Sequence, residues 1–147
     1  MDNYEVIEGI KEFILGGDAH FTILQDATDN KPKCQMKYRV KNNGNSTCWF
    51  VSTELEEDND LYTDGKNLVY QGYLKRDLSF NVGAKGVEDF NKRAISGLIW
   101  VLNHADNLPS VVHVYHHGRC SKCGRKLTDA DSLRCGLGPT CRKRIGL

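Results

Sequence analysis

Four of the six cysteines in this 147-residue sequence fall within residues 118–147, and their spacing is the spacing of a metal site. Cys120 and Cys123 form a C-x2-C pair followed at once by Gly124. Two thiolates three residues apart can grip one tetrahedral ion, and the glycine lets backbone amides turn back toward the sulfurs. Cys135 and Cys141 follow, with Gly138-Pro139 between them. Proline suits the first turn of a helix because its missing amide hydrogen would go unpaired there. Cys141 is therefore expected at a helix start, its thiolate favoured by the positive end of the helix dipole. A knuckle plus a ligand at a helix start is the plan of a treble-clef-like zinc finger.

Counting gives four soft ligands for one structural Zn2+: Cys120, Cys123, Cys135 and Cys141. His116, four residues before Cys120, is the rival to Cys135, since three cysteines and one histidine make an equally good closed site. His113 and His117 are weaker candidates. A hydrolytic zinc site needs an open position and a nearby base, whereas four soft ligands close the shell. A zinc deaminase needs H-x-E with P-C-x-x-C, and neither motif occurs. A histidine-metal nuclease needs a further ligand on the last helix, which offers only Arg142, Lys143 and Arg144. The expectation is a non-enzymatic protein.

The formal net charge of +1 hides an asymmetry. From Gly118 onward eight Lys/Arg face two Asp, a net of +6, while the preceding residues carry a net of −5. Four thiolates on Zn2+ leave a local −2 that basic neighbours offset. The +6 exceeds that need, so Arg119, Lys122, Arg125, Lys126, Arg142, Lys143 and Arg144 are candidate phosphate contacts. Glu54, Glu56, Glu57, Asp58 and Asp60 form an acidic run without the register of a calcium loop. It reads as a solvated loop or as a surface for a basic partner. No apolar run is long enough to span a membrane, and the acidic amphipathic start is unlike a secretory signal. The expected setting is a reducing cytoplasm, where clustered cysteines hold metal in preference to forming disulfides.

The elements that must position the cysteines follow from periodicity. Val6/Ile7, Ile10 and Phe13/Ile14 predict a helix over 3–15, capped by Asp2 or Asn3 and ended by Gly16-Gly17. Residues 19–24, 36–40, 48–52, 68–74 and 111–115 read as strands. Asn43-Gly44 predicts a two-residue hairpin turn that pairs Asn42 with Asn45 and sets Cys48 against Arg39 and Cys34 against Thr53. Cys34 and Cys48 are then packing residues, not cross-strand partners. Residues 75–86 look irregular. Val87 to His104 predicts a helix whose apolar face (Val87, Phe90, Ala94, Ile95, Leu98, Trp100, Val101, Leu102) suits lying across a sheet. The fold class is α+β: a small, mostly antiparallel sheet packed by one long helix, with a body over 1–112 and a zinc module over 113–147 docked on it.

The string from Gly118 to Cys141, with Cys120-x-x-Cys123-Gly124-Arg125, Leu127-Thr128-Asp129, Ser132-Leu133 and Gly136-x-Gly138-Pro139-x-Cys141, resembles a zinc-binding family of unknown function found in bacteriophage and bacterial proteins. Shorter strings at Ala19–Thr22, Tyr38–Val40, Trp49–Ser52 and Asp58-Asn59 with Tyr62 extend the resemblance upstream. It implies a phage or mobile-element setting and no established activity. Cys135 is not a fixed cysteine of that pattern, which raises His116 as the fourth ligand. Two functions follow as expectations. One is an accessory protein acting on nucleic acid or its machinery through the basic C-terminal module, with Tyr38, Trp49, Tyr70 and Tyr73 as bases' stacking partners if they face outward. The other is a protein that inhibits a host enzyme or defence factor through the acidic 54–60 surface.

Overall fold

Among the described residues the alternating strands form one seven-stranded antiparallel sheet, in the order Tyr4–Glu5, Val112–His116, Asp18–Gln25, Cys34–Asn42, Cys48–Glu54, Leu68–Lys75, Phe80–Val82. The computed structural model describes residues 3–45, 47–54, 68–83 and 89–144, and of 89–91 the backbone alone. The strands are β1 (Tyr4–Glu5), β2 (Asp18–Gln25), β3 (Cys34–Asn42), β4 (Cys48–Glu54), β5 (Leu68–Lys75), β6 (Phe80–Val82) and β7 (Val112–His116). The helices are α1 (Ile10–Ile14), α2 (Asp89–Asn103), α3 (Ala130–Cys135) and α4 (Pro139–Arg144). The protein is thus a mixed α/β chain with a cysteine cluster at its C-terminal end. Among the described residues no helix is long and apolar enough to cross a membrane.

One face of the sheet carries Phe21, Met36, Tyr38, Val40, Val51, Leu74 and Val114, and α2 covers it with Ala94, Ile95, Leu98, Val101 and Leu102. Alternation puts every second strand residue on this face, and the helical period lines up the second set. The Tyr38 hydroxyl donates to the Ala94 carbonyl at 2.6 Å, so the buried phenol is satisfied by the helix above it. Burial pushes that phenol far up from its ordinary pKa. Trp100 departs from the expected apolar face: it is 40% exposed and stacks on His104 with ring centroids 4.2 Å apart.

The N-terminal segment is not the helix predicted over 3–15. Tyr4 and Glu5 pair with His116 and Tyr115, and Val6 continues the edge by donating to the Val114 carbonyl at 2.8 Å. Gly9 then takes the left-handed conformation (φ 67) that separates strand from helix, and α1 begins after it without a side-chain cap. Ile7 is left 61% exposed. Asn3 caps nothing; its side-chain oxygen lies 3.0 Å from His117 Nδ1.

The Asn43-Gly44 turn is also wider than expected. Asn42 pairs with Trp49 and Arg39 with Ser52, so six residues separate the paired positions and the predicted register is displaced. The asparagine side chains cause this. Asn42 Oδ1 accepts from the Gly44 amide at 2.6 Å, and Asn43 Nδ2 donates to Thr47 Oγ1 at 2.6 Å. Local side-chain bonds of this kind compete with the tight two-residue turn. Cys48 lies opposite Lys75 on β5 and Cys34 opposite Gln25 on β2, and neither cysteine forms a disulfide among the described residues.

The stretch expected to be irregular contains β6, joined to β5 by a turn in which Lys75 donates to the Ser79 carbonyl at 3.0 Å. Leu78 occupies the left-handed position (φ 66) where glycine or asparagine would have announced the turn. Glu54 closes β4 as a largely buried partner of Lys37 at 3.5 Å, not as a solvated loop residue. Glu56, Glu57, Asp58 and Asp60 lie outside the described residues, as do Val87 and the Phe90 side chain. The expected boundary at 112/113 falls inside β7, which belongs to the sheet through His116.

His113 on β7 ties three elements of this sheet end together. Its Nδ1 lies 2.6 Å from Glu5 Oε1 and its Nε2 lies 2.9 Å from Asp26 Oδ2. The bonds to Asp26 and then Glu5 raise its pKa above the ordinary histidine value. A raised folded-state pKa means the protonated form adds stability that is complete below the unfolded value of about 6.5 and is lost as pH climbs through the folded value. The melting temperature of His113→Gln should therefore fall furthest below wild type under mildly acidic conditions. The gap should narrow as pH rises past the folded pKa, as thermal melts across pH would record.

Candidate metal centre

The chain leaves the sheet at His116 and turns immediately into the cysteine module. Gly118 makes the turn with φ 86, a conformation costly for other residues. A short hairpin follows: Leu127 donates to the Gly118 carbonyl at 2.7 Å and Cys120 to the Arg125 carbonyl at 2.9 Å, with Arg119 bridged to Lys126. At its tip Gly124 (φ 77) donates to the Cys120 carbonyl at 2.9 Å, and the Lys122 amide points at Cys120 Sγ at 3.4 Å. This is the knuckle geometry that the C-x2-C-G spacing requires.

Asp129 then caps α3, its carboxylate accepting from the Ser132 amide at 3.0 Å. Gly136 ends α3 in the left-handed conformation (φ 71) and donates back to the Ser132 carbonyl at 2.8 Å. Leu137 is fully buried beside Leu127, and α4 starts at Pro139. Cys141, the third residue of α4, is thereby carried against the knuckle. The ligand atoms of Cys120, Cys123 and Cys141 all lie within 4.8 Å of one another.

Those three thiols fit a metal ion. Tetrahedral thiolates around zinc stand about 3.8 Å apart, so a small contraction of the group would close on the ion. Cys120 titrates below its ordinary range: burial opposes ionisation, but the Gly138, Cys123 and Lys122 amides outweigh it. Cys141 moves the other way, pushed up to about 11 by burial and by the neighbouring Cys120 and Cys123. The helix-start dipole does not win at Cys141, because three thiolates cannot share this space without a cation. A bound divalent ion would replace the proton.

Cys135 and His116 are both placed elsewhere. Cys135 sits on the last turn of α3, where Sγ lies 3.3 Å from the Asp131 carbonyl, and burial raises its thiol above the ordinary range. His116 is buried between Tyr4 and Phe13, each with ring centroids 5.6 Å from the imidazole. Its Nδ1 accepts from the Gly118 amide at 3.0 Å and its Nε2 donates to the Leu133 carbonyl at 2.8 Å. Burial lowers its pKa, which suits a neutral ring with both nitrogens occupied. His113 and His117 face Glu5 and Asn3 instead. Among the described residues the group that could hold a metal ion therefore comprises the thiols of Cys120, Cys123 and Cys141.

The module is fastened to the sheet by backbone. Asp18 donates to the Ser121 carbonyl at 2.5 Å and Ile7 to the Arg134 carbonyl at 2.9 Å, while within the module Ser121 donates to the Gly136 carbonyl at 3.0 Å. Gly16-Gly17, read as a helix stop, serves this contact. A Cβ on Gly17 would lie 3.2 Å from Lys122 backbone atoms, and one on Gly16 2.5 Å from Ser121 Oγ. No spacing rule marked Ser121 or the glycine pair as docking residues. Of the basic candidates, Arg119, Lys122, Arg125, Lys126, Lys143 and Arg144 are exposed. Arg142 is half-buried, with Nη2 3.4 Å from Ser132 Oγ and 3.6 Å from Asp129 Oδ2, so it braces α4 against α3.

Residues 111–146, the span from the start of β7 through α4, match a family of unknown function, DUF6011. The strings upstream of residue 111 lie outside that match. No curated protein and no solved structure matches the chain.

Two tests address the centre. Cys120→Ser, Cys123→Ser and Cys141→Ser should each abolish stoichiometric metal in the purified protein, whereas Cys135→Ser should retain it, as elemental analysis and cobalt-substitution spectra would show. Gly136→Ala should destabilise the whole chain by more than about 1 kcal/mol in denaturant melts. Its Cβ would meet the Phe13 ring at a distance no real contact allows, on a backbone already at φ +71.

Proposed function

We propose that this chain is a non-enzymatic zinc-binding accessory protein that acts on nucleic acid or its machinery through its C-terminal module. The metal is read as one structural Zn2+. Three convergent thiols are a soft donor set that zinc favours, and a knuckle hairpin meeting a helix start is a treble-clef-like arrangement. The observation that carries the reading is the position of the charge. Six exposed Lys and Arg side chains stand on the two pieces of chain, the 119–126 hairpin and α4, that carry the clustered cysteines. Cations set on a rigid metal-braced hairpin and helix are suited to a polyphosphate backbone.

The competing reading, inhibition of a host enzyme through the acidic surface, loses one residue. Glu54 is engaged with Lys37 inside the sheet and is not offered to a partner. No observation favours that reading over the first.

Fluorescence anisotropy with labelled DNA and RNA over a salt series tests the proposal. Wild-type protein should bind at micromolar concentration or tighter, with affinity falling linearly in log–log form as salt rises. Lys122→Glu/Arg125→Glu/Lys126→Glu and Lys143→Glu/Arg144→Glu should each weaken binding about tenfold or more and flatten the salt slope. Arg142 is left intact because it holds α4. Absence of binding near physiological salt would remove this function.

A further inference from the structure

The sheet has a second face, opposite α2, and its character changes across the strands. Toward β2 and β3 it is closed: Thr22, Leu24, Gln35 and Lys37 are buried on it. Toward β4 and β5 it opens, and it opens onto aromatic rings. Phe50 is 40% exposed and Tyr70 is 44% exposed, their ring centroids 6.1 Å apart in an edge-on arrangement. Tyr73, half-buried, lies directly across from Phe50 on β5, and Lys41 lies directly across from Phe50 on β3. The three rings come from adjacent strands on one side of the sheet, with an exposed lysine at the end of their row.

The backbone is shaped to put them there. A register shift between Val51 and Ser52 leaves Tyr70 opposite Ser52, two residues on from the Phe50–Tyr73 pair, although strict alternation along β5 would send Tyr70 and Tyr73 to opposite faces. Bulges re-aim side chains in this way. The Tyr70 ring then rests against Gly83, where an added Cβ would stand 3.1 Å from Tyr70 Cε2. Two large aromatics left about two-fifths exposed and touching each other forgo burial, and contiguous patches of this kind mark binding surfaces. Lys75 is exposed on the neighbouring pair with Cys48, and neither Lys41 nor Lys75 forms an ion pair among the described residues.

We infer that this open face is a stacking platform for single-stranded nucleic acid, with Phe50, Tyr70 and Tyr73 taking unpaired bases and Lys41 and Lys75 taking backbone phosphates. Sheets that present aromatic rings on neighbouring strands stack successive unpaired bases, tolerant of sequence because every base has a π-face. A duplex keeps its bases stacked on each other and has none to offer. Tyr38 and Trp49, the other two aromatics considered for stacking, are excluded. Both are buried, donating to the Ala94 and Leu15 carbonyls. This inference rests on the nucleic-acid reading proposed above and adds a contact surface distinct from the basic module.

The test compares the zinc-loaded protein on labelled oligothymidylate, oligouridylate and a short mixed-sequence duplex. Phe50→Ala/Tyr70→Ala should weaken single-strand binding by about tenfold or more while leaving duplex binding unchanged at a temperature where the variant is folded. Phe50→Trp should preserve single-strand binding, since it keeps a stacking surface. Photocrosslinking with iodouridine-substituted strands should place adducts on Phe50, Tyr70 or Tyr73. The oligothymidylate and oligouridylate arms separate DNA from RNA as the ligand. If the aromatic variants bind single strands as tightly as wild type while the basic-module variants do not, the platform is overturned and the nucleic-acid reading stands. If wild type binds none of the probes, both fall.

Discussion

The arrangement depends on how β7 ends. Its last residue, His116, has its ring held between Tyr4 and Phe13 and both nitrogens hydrogen-bonded, one to the Gly118 amide and one to the Leu133 carbonyl. That single neutral imidazole joins β1, α1, the start of the knuckle hairpin and α3. Each of its bonds lies away from water, where a missing partner costs about 1–3 kcal/mol. The histidine that rivals Cys135 as a fourth ligand thus has both ring nitrogens engaged in fastening the module. The cysteines can converge because the hairpin and the two short helices hang from a point that cannot rotate.

The same logic separates Cys135 from the other thiols. A cysteine count treats all four C-terminal thiols as equal, but a helical side chain leans back over the preceding turn. On α3 that direction sends Sγ toward the Asp131 carbonyl. Cys141, near the beginning of α4, has no preceding turn of its own helix to lean on and meets the knuckle instead. Short helices place their ends more than their faces, and here the ends carry the chemistry.

Much of the sheet was legible from alternation. β2, β3, β4, β5 and β7 all overlap the stretches that periodicity marks, and the C-x2-C-G and Gly-Pro-x-Cys strings point to the three thiols that meet. What escaped was set by contacts remote in sequence. Val6, Ile10, Phe13 and Ile14 satisfy a helical period, yet Val6 reaches its burial by pairing with β7, more than a hundred residues away. Asn43-Gly44 carries the signature of a tight turn, yet the neighbouring asparagines bond the loop into a wider one. β6 is three residues long and its turn is made by Leu78, so no propensity announced it. The register shift that moves Tyr70 onto the face of Phe50 is likewise invisible to a period of two. Gly16 and Gly17 mattered for the knuckle backbone they let approach, which only the folded chain brings near.

The insertion of β7 between β1 and β2 has a consequence for the order of assembly. β2, β3, β4, β5 and β6 can zip together as successive neighbours while the chain is still being made. β1 has no sheet partner until residues 112–116 exist, and the gap between it and β2 stays open until then. Closing that gap requires a long loop to be drawn shut, a slow step for any topology rich in distant pairings. The residues that close it are followed within four positions by Cys120. Sheet completion and assembly of the cysteine cluster are therefore the same late event during synthesis, and a nascent chain that lacks this segment keeps two exposed strand edges, the condition most prone to mispairing.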